Sequence, residues 1–232
     1  MESIYEVLMD LPLFKGVSYN KISELVEKVK FHFLRFDDGE SIVEAGEACT
    51  HLKCVISGQV RLTVESADGR LRVSQTLVAP DIIAPDFLFG RNTLYPCSAV
   101  AGTGRCGIMQ ISKADYMSIL AGDEIFMFNF LNLLSKDAQK AHEGVLALTG
   151  GSLEERIAFW VVALTQTGAR NVVIECRHRD LYSLFGVPRA VFFQTLQSMR
   201  ERGLVDYAPN KISVASRRDF VDLLRRRLHP LN

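Results

Sequence analysis

The chain has 232 residues, 48% of them hydrophobic and 23% charged, with 27 basic and 27 acidic side chains. That is length enough for two domains, each with its own core, and a composition that excludes a disordered or fibrous chain. Five scattered cysteines exclude a disulfide framework, and the longest apolar runs, 157–164 and the interrupted 125–134, fall short of the roughly 20 residues that span a bilayer.

The opening Met1-Glu2-Ser3-Ile4-Tyr5-Glu6 lacks the basic start and apolar centre of a secretory signal, so a cytoplasmic protein with no membrane partner is expected. Ser18 can cap a short amphipathic helix near 19–29, with Ile22, Leu25, Val26 and Val29 on one face. The period then changes to seven short β-rich runs at 31–36, 41–43, 52–56, 60–64, 71–77, 98–101 and 107–111. Turns such as Asp37-Asp38-Gly39, Ser57-Gly58 and Asp68-Gly69 separate them, which predicts an antiparallel β-barrel or sandwich. After Ser112 the helical period returns. Phe126, Phe130, Leu133, Leu134, Ala138, Ala141, Val145 and Leu148 form a stripe that ends at Gly150-Gly151, suited either to packing on the barrel or to a dimer seam.

Paired glycines followed by Ser152 and Glu155 spell a helix end and a capping box, so a second domain is expected from residue 151. Divided at Gly150, the chain has 14 basic and 19 acidic residues before the boundary (−5) and 13 basic and 8 acidic after it (+5), and 12 of those 13 are arginine. A basic module joined to an acidic one points toward nucleic acid. Helices are predicted over 153–167, 180–185, 188–202 and 217–228, a strand over 171–176 and a β-hairpin over 204–214.

Residues 180–205 carry the pattern of a helix-turn-helix. Leu181 and Leu184 face inward, Gly186 permits the tight turn, and Pro188 opens the second helix without wasting an N–H. Phe192, Leu196 and Met199 give that helix a buried face. Arg189, Ala190, Phe193, Gln194 and Gln197 form the opposite face, where arginine can fork onto guanine and glutamine onto adenine in a major groove. Arg177, His178, Arg179 and Lys211 are the phosphate candidates.

Taken together, these features resemble the CRP/FNR family of bacterial regulators. The resemblance rests on Gly39-Glu40, Gly46-Glu47 and Ser57-Gly58 in the barrel, Arg156-Ile157-Ala158 at the head of the second domain, and Gly186 to Arg189 in the reader. It implies an α+β chain of three parts: a jelly-roll-like antiparallel β-barrel sensor (1–122), a dimerisation helix (123–150) and a winged helix-turn-helix (151–232). It also implies a homodimer that reads palindromic double-stranded DNA with helix 188–202, meets RNA polymerase and answers to a small-molecule effector. The family's reader pattern Arg-Glu-x-x-x-Arg is departed from, since Arg189, Ala190 and Gln194 stand at its positions; a different operator follows.

Cyclic-nucleotide-binding relatives grip the ribose with Gly-Glu and the phosphate with Arg-Ser. Here Ala84, Pro85 and Asp86 stand around the first pair and Tyr95, Cys97 and Ser98 around the second, while Ala141-His142 occupies the place of the purine-contacting Thr-Ser. A buried cyclic phosphate would lack its counter-charge, so these residues mark an effector pocket for something other than cyclic AMP. Without a cysteine before Cys49 an iron–sulfur cluster is disfavoured, and neither a metal nor another cofactor is expected. Cys49, His51 and Cys54 read as packing residues, and a thiol switch through Cys97 and Cys106 carries little weight. With no P-loop, nucleophile elbow or zinc-protease motif, no enzyme is expected. The alternative is a ligand- or thiol-responsive protein-interaction module without sequence-specific DNA binding.

Overall fold

A computed structural model describes residues 4–228. They fall into two compact units, one formed by residues up to Leu62 together with Leu77–Asp137, the other by Thr63–Thr76 together with the chain from Ala138 on.

The first unit opens with α1 (Ile4–Asp10) and α2 (Tyr19–Lys28), the latter capped by Ser18, whose hydroxyl accepts the Lys21 N–H. One antiparallel sheet has the order β1 (His32–Phe36), β8 (Cys106–Ser112), β3 (His51–Ser57) and β6 (Asp81–Ile83). In a second sheet β2 (Ser41–Val43), β7 (Ser98–Ala101) and β4 (Gln59–Glu65) lie side by side. In β3 and β4 alternate residues are buried, Leu52 and Cys54, Val60 and Leu62 among them, the period-two pattern of a half-buried sheet, whereas in β8 Cys106 to Met109 are buried in succession. The barrel is not closed. Gly58 makes the β3–β4 turn at φ +75°, and a Cβ there would stand 2.5 Å from the Arg105 carbonyl oxygen, so both conformation and space require glycine.

Sequence reasoning passed over α1, β6 and α3 (Lys113–Gly122). β6 has three residues between Pro80 and Pro85, too few for a periodicity.

α4 (Glu124–Thr149) divides the apolar stripe between two faces. Phe126 and Phe130 are buried, Phe126 edge-on to Phe14 at 5.0 Å and Phe130 edge-on to Tyr116 at 5.5 Å. Phe128 (64% exposed), Leu131 (51%) and Val145 (65%) stay in solvent. Together with the exposed Ser135, Ala138 and His142 they recur at alternating steps of three and four along one face. The stripe therefore splits: its aromatic start packs on Phe14 and on Tyr116 of α3, and an exposed face begins two residues later, at Phe128. Leu148 lies outside the residues whose side chains are described.

The second unit contains β5 (Arg72–Val78) as far as Thr76. β5 pairs antiparallel with β9 (Arg170–Glu175), Val73 opposite Ile174 and Ser74 opposite Val173. β9 pairs in turn with β11 (Lys211–Ser216), and β11 with β10 (Asp206–Ala208). Val73 is 1% exposed in one core with Ile157, Val161, Val172, Phe192, Leu196 and Phe220. Gln75 is buried too, and its carbonyl oxygen accepts the Gln166 N–H at 2.8 Å. α5 (Leu153–Leu164) starts at the expected capping box of Ser152 and Glu155. α6 (His178–Leu184), α7 (Arg189–Glu201) and α8 (Arg217–Leu228) complete the unit. It is a winged helix-turn-helix with one extra strand drawn from residues 63–76.

Candidate functional site

The candidate reading face is built by the turn between α6 and α7. Gly186, at φ +62°, lets its N–H bond the Ser183 carbonyl at 3.1 Å while Val187 N–H bonds the Tyr182 carbonyl at 3.0 Å, a Schellman closure of α6. Pro188 sits at the N-cap of α7, one position earlier than expected, and its carbonyl accepts the Phe192 N–H. Arg156 braces the turn from α5: its guanidinium donates to the Phe185 carbonyl and lies 5.7 Å from the Phe185 ring centroid. α7 closes as α6 does, with Gly203 N–H on the Arg200 carbonyl and Leu204 N–H on the Met199 carbonyl.

Phe192, Leu196 and Met199 are fully buried, as the pattern requires, and Arg189, Ala190, Gln194 and Gln197 are exposed along the opposite side of α7. Phe193 is half-buried. Its ring packs on His178 at 5.4 Å and on Tyr207 at 6.2 Å, with the Arg189 guanidinium over it at 5.6 Å. A concavity of about 610 Å³ runs between α6, α7 and the wing, lined by Arg177, Arg179, Tyr182, Arg189, Phe193 and Tyr207 among others.

The phosphate candidates differ from one another. Arg179 and Lys211 are exposed. Arg177 holds Asp180 at 2.9 Å. The half-buried His178 ring also lines this concavity, among Phe192, Phe193 and Tyr207, and burial lowers its pKa against a hydrogen bond to the Lys211 backbone. It is therefore neutral near pH 7. Tyr207 and Tyr182 escaped the sequence reading. The available signal for Tyr207 was an aromatic residue on the wing strand that follows the reader helix.

The proposed effector cassette is different in character. Ala84, Pro85, Tyr95 and Cys97 are buried in the first unit, Ala84 in the left-handed conformation at φ +42°. The Tyr95 hydroxyl donates to the His51 carbonyl at 3.1 Å, and the Cys49 thiol approaches the same oxygen at 3.9 Å. Ser98 accepts the Ala45 N–H at 3.1 Å and donates to Glu44 at 3.3 Å. Asp86, exposed, is the one charged residue of the set. Ala141 and His142 are exposed on the part of α4 that belongs to the second unit.

All five cysteines are free and buried. Burial, with a smaller contribution from the Asp86 carboxylate, pushes the Cys97 thiol up to about 11, and burial pushes Cys54 up to about 12. Cys97 precedes β7 and Cys106 opens β8, strands of different sheets. Among the described residues no three of His, Cys, Asp and Glu gather as a metal-holding group. No single helix among them is long and apolar enough to cross a membrane.

Comparison with known proteins agrees with this anatomy. Residues 33–123 match the cyclic nucleotide-binding domain. A curated relative, the cAMP-activated global transcriptional regulator Vfr of Pseudomonas aeruginosa, is 23% identical over 181 residues, covering 75% of this chain and 85% of the relative. The solved structure of the Thermus thermophilus catabolite activator protein superposes with a TM-score of 0.53 at 19% identity, over 92% of this chain and 98% of that one. The chain thus combines a cyclic nucleotide-binding domain with a winged helix-turn-helix. Its fold is that of the CRP/FNR-type regulators.

Proposed function

We infer that the protein is a homodimeric, sequence-specific DNA-binding regulator that reads palindromic operators with α7 and answers to an effector other than cyclic AMP. The observation that carries this reading is the exposure of Arg189, Ala190 and Gln194 on the face of α7 opposite its buried side, beside the cations Arg179 and Lys211. Dimerisation is supported by the exposed seam of α4, where Ala138 leaves room for a partner helix and Phe128, Leu131 and Val145 offer apolar surface to it. RNA polymerase is the further partner such a regulator meets.

Activation by cAMP, the property of the Pseudomonas relative, does not fit this chain. The cassette residues include the acidic Asp86 and no cation, and an anion there would meet a carboxylate instead of an arginine.

Selection of bound sequences from a random duplex pool tests the reading. A palindrome with half-sites one helical turn apart is the expected result, with a dimer in sedimentation analysis. No enrichment, or enrichment of a single asymmetric site by a monomer, would overturn it.

A further inference from the structure

Gln197 is tied at both ends of its amide. Its Nε2 lies 3.0 Å from Glu201 Oε1 one turn along α7, and its Oε1 lies 3.1 Å from the Tyr207 hydroxyl on β10. Tyr207 is itself fixed: the Arg200 guanidinium lies 5.5 Å from its ring centroid, the Phe193 ring 6.2 Å away and the His178 ring 6.4 Å away. Arg200 also holds Asp206, the neighbour of Tyr207, at 3.0 Å.

From this we propose that Tyr207, acting with Glu201, is a positioning residue for base recognition, holding the Gln197 amide in a single orientation toward the groove. The inference rests on the DNA-reading function above and deepens it. The chemistry of the partners sets the orientation. A carboxylate only accepts, so the amide nitrogen must face Glu201, while the tyrosine hydroxyl can donate, so the carbonyl oxygen faces Tyr207; the flipped amide would place oxygen against carboxylate. A glutamine amide has two N–H donors and two lone pairs on its oxygen. After Glu201 and Tyr207 have each taken one, one donor and one acceptor remain, the complement that adenine needs at N7 and N6. A glutamine so held loses less freedom on binding than a free one. Gln194, exposed one turn earlier, has no such brace among the described hydrogen bonds.

The test is a double-mutant cycle on sequence preference, using the full-length protein and pools randomised at each half-site position. Wild type is expected to prefer adenine at one symmetric position, and Gln197→Ala to flatten that preference. Tyr207→Phe keeps the ring and its packing while removing the hydroxyl, and should reduce the same preference about 5- to 10-fold without changing affinity for random duplex. In the Gln197→Ala background Tyr207→Phe should then change nothing. The inference is overturned if Gln197→Ala leaves every base preference unmoved, if Tyr207→Phe leaves the preference at that position intact, or if it acts equally in both backgrounds. A wild-type protein that enriches no sequence overturns the DNA-reading function itself. A wild-type protein with a clear site and an inert Tyr207→Phe overturns this inference alone.

Discussion

The cassette around Ala84 to Ser98 and the reading face of α7 are the two places where a chain of this architecture is expected to meet something other than itself, and they are built in opposite ways. In the cassette the polar groups are consumed internally: Tyr95 bonds a backbone carbonyl, Ser98 bonds Glu44 and Ala45, and Cys97 is protonated and buried. On the reading face the aromatic rings are the ones used up, Phe193 under Arg189 and against His178, while Arg179, Gln194 and Lys211 remain in solvent. A closed polar network holds a shape, whereas an open one is available to a partner. The second region is thus far better matched to its proposed ligand than the first is to a cyclic nucleotide.

The largest effect expected from this contrast is the salt dependence of DNA binding. With Arg177, Arg179 and Lys211 from each of two protomers meeting phosphates, about six contacts, affinity should fall roughly 10³-fold between 50 and 200 mM salt. A salt-insensitive complex, measured by fluorescence anisotropy, would favour the protein-interaction reading instead.

The next effect belongs to the cassette side and needs no ligand. Asp81 opens β6 just before the cassette, and burial pushes its pKa up to about 6 against a hydrogen bond from the Ile82 N–H. An unfolded aspartate titrates near 3.9. Between these values the folded state binds the proton and the unfolded state does not, so stability is lost as pH rises from about 4 to about 6. Asp81→Asn should therefore stabilise the protein by about 2–3 kcal/mol at pH 7 and by nothing below pH 4. Denaturant unfolding at the two pH values checks it, and an equal effect at both would show that the gain is packing and not charge.

Smaller and more local is Arg189→Ala, which should cost about 1–3 kcal/mol at one base-pair position and relax preference there. The guanidinium already lies against the Phe193 ring, so the variant also bares an aromatic face. Arg189→Lys separates the two effects. It keeps a cation for the ring but loses the fork that reads guanine, so competition binding should place it close to Arg189→Ala in specificity.

The reading head was legible in the sequence because its signals are local: Gly186, Pro188, Ser152 and Glu155 act within a few residues of themselves, and each does in the structure what its spacing promised or lies one position away. The role of residues 63–76 was not. Leu71, Val73 and Gln75 alternate as any half-buried strand does, and alternation says that a face is covered without saying by what. The same holds for α4, where large apolar residues occupy more than one face and periodicity alone did not separate Phe126 and Phe130, packed on Phe14 and Tyr116, from Phe128 and Leu131, in solvent. The engagement of Gln197 was beyond reach for a related reason, since its partner Tyr207 lies ten residues away on the wing.

The smallest effect is expected from cyclic AMP, and it bears most directly on the contrast between the two regions. A ligand that binds only the folded state adds about 2.7 kcal/mol at 100 times its Kd, which moves the midpoint of a protein of this size by several degrees. Millimolar cyclic AMP should leave both the melting temperature and the operator affinity unchanged. An upward shift would mean that a cation reaches the cyclic phosphate from outside the cassette residues named here. Arg91, exposed and within the same segment, is the first to substitute, and loss of the shift in Arg91→Ala would relocate the phosphate site instead of restoring the arrangement of the cAMP-binding relatives. Persistence of the shift in that variant would show that the buried packing of Tyr95 and Cys97, or the bonds of Ser98 to Glu44 and Ala45, open to admit a ligand. The contrast with the reading face would then describe only the unliganded protein.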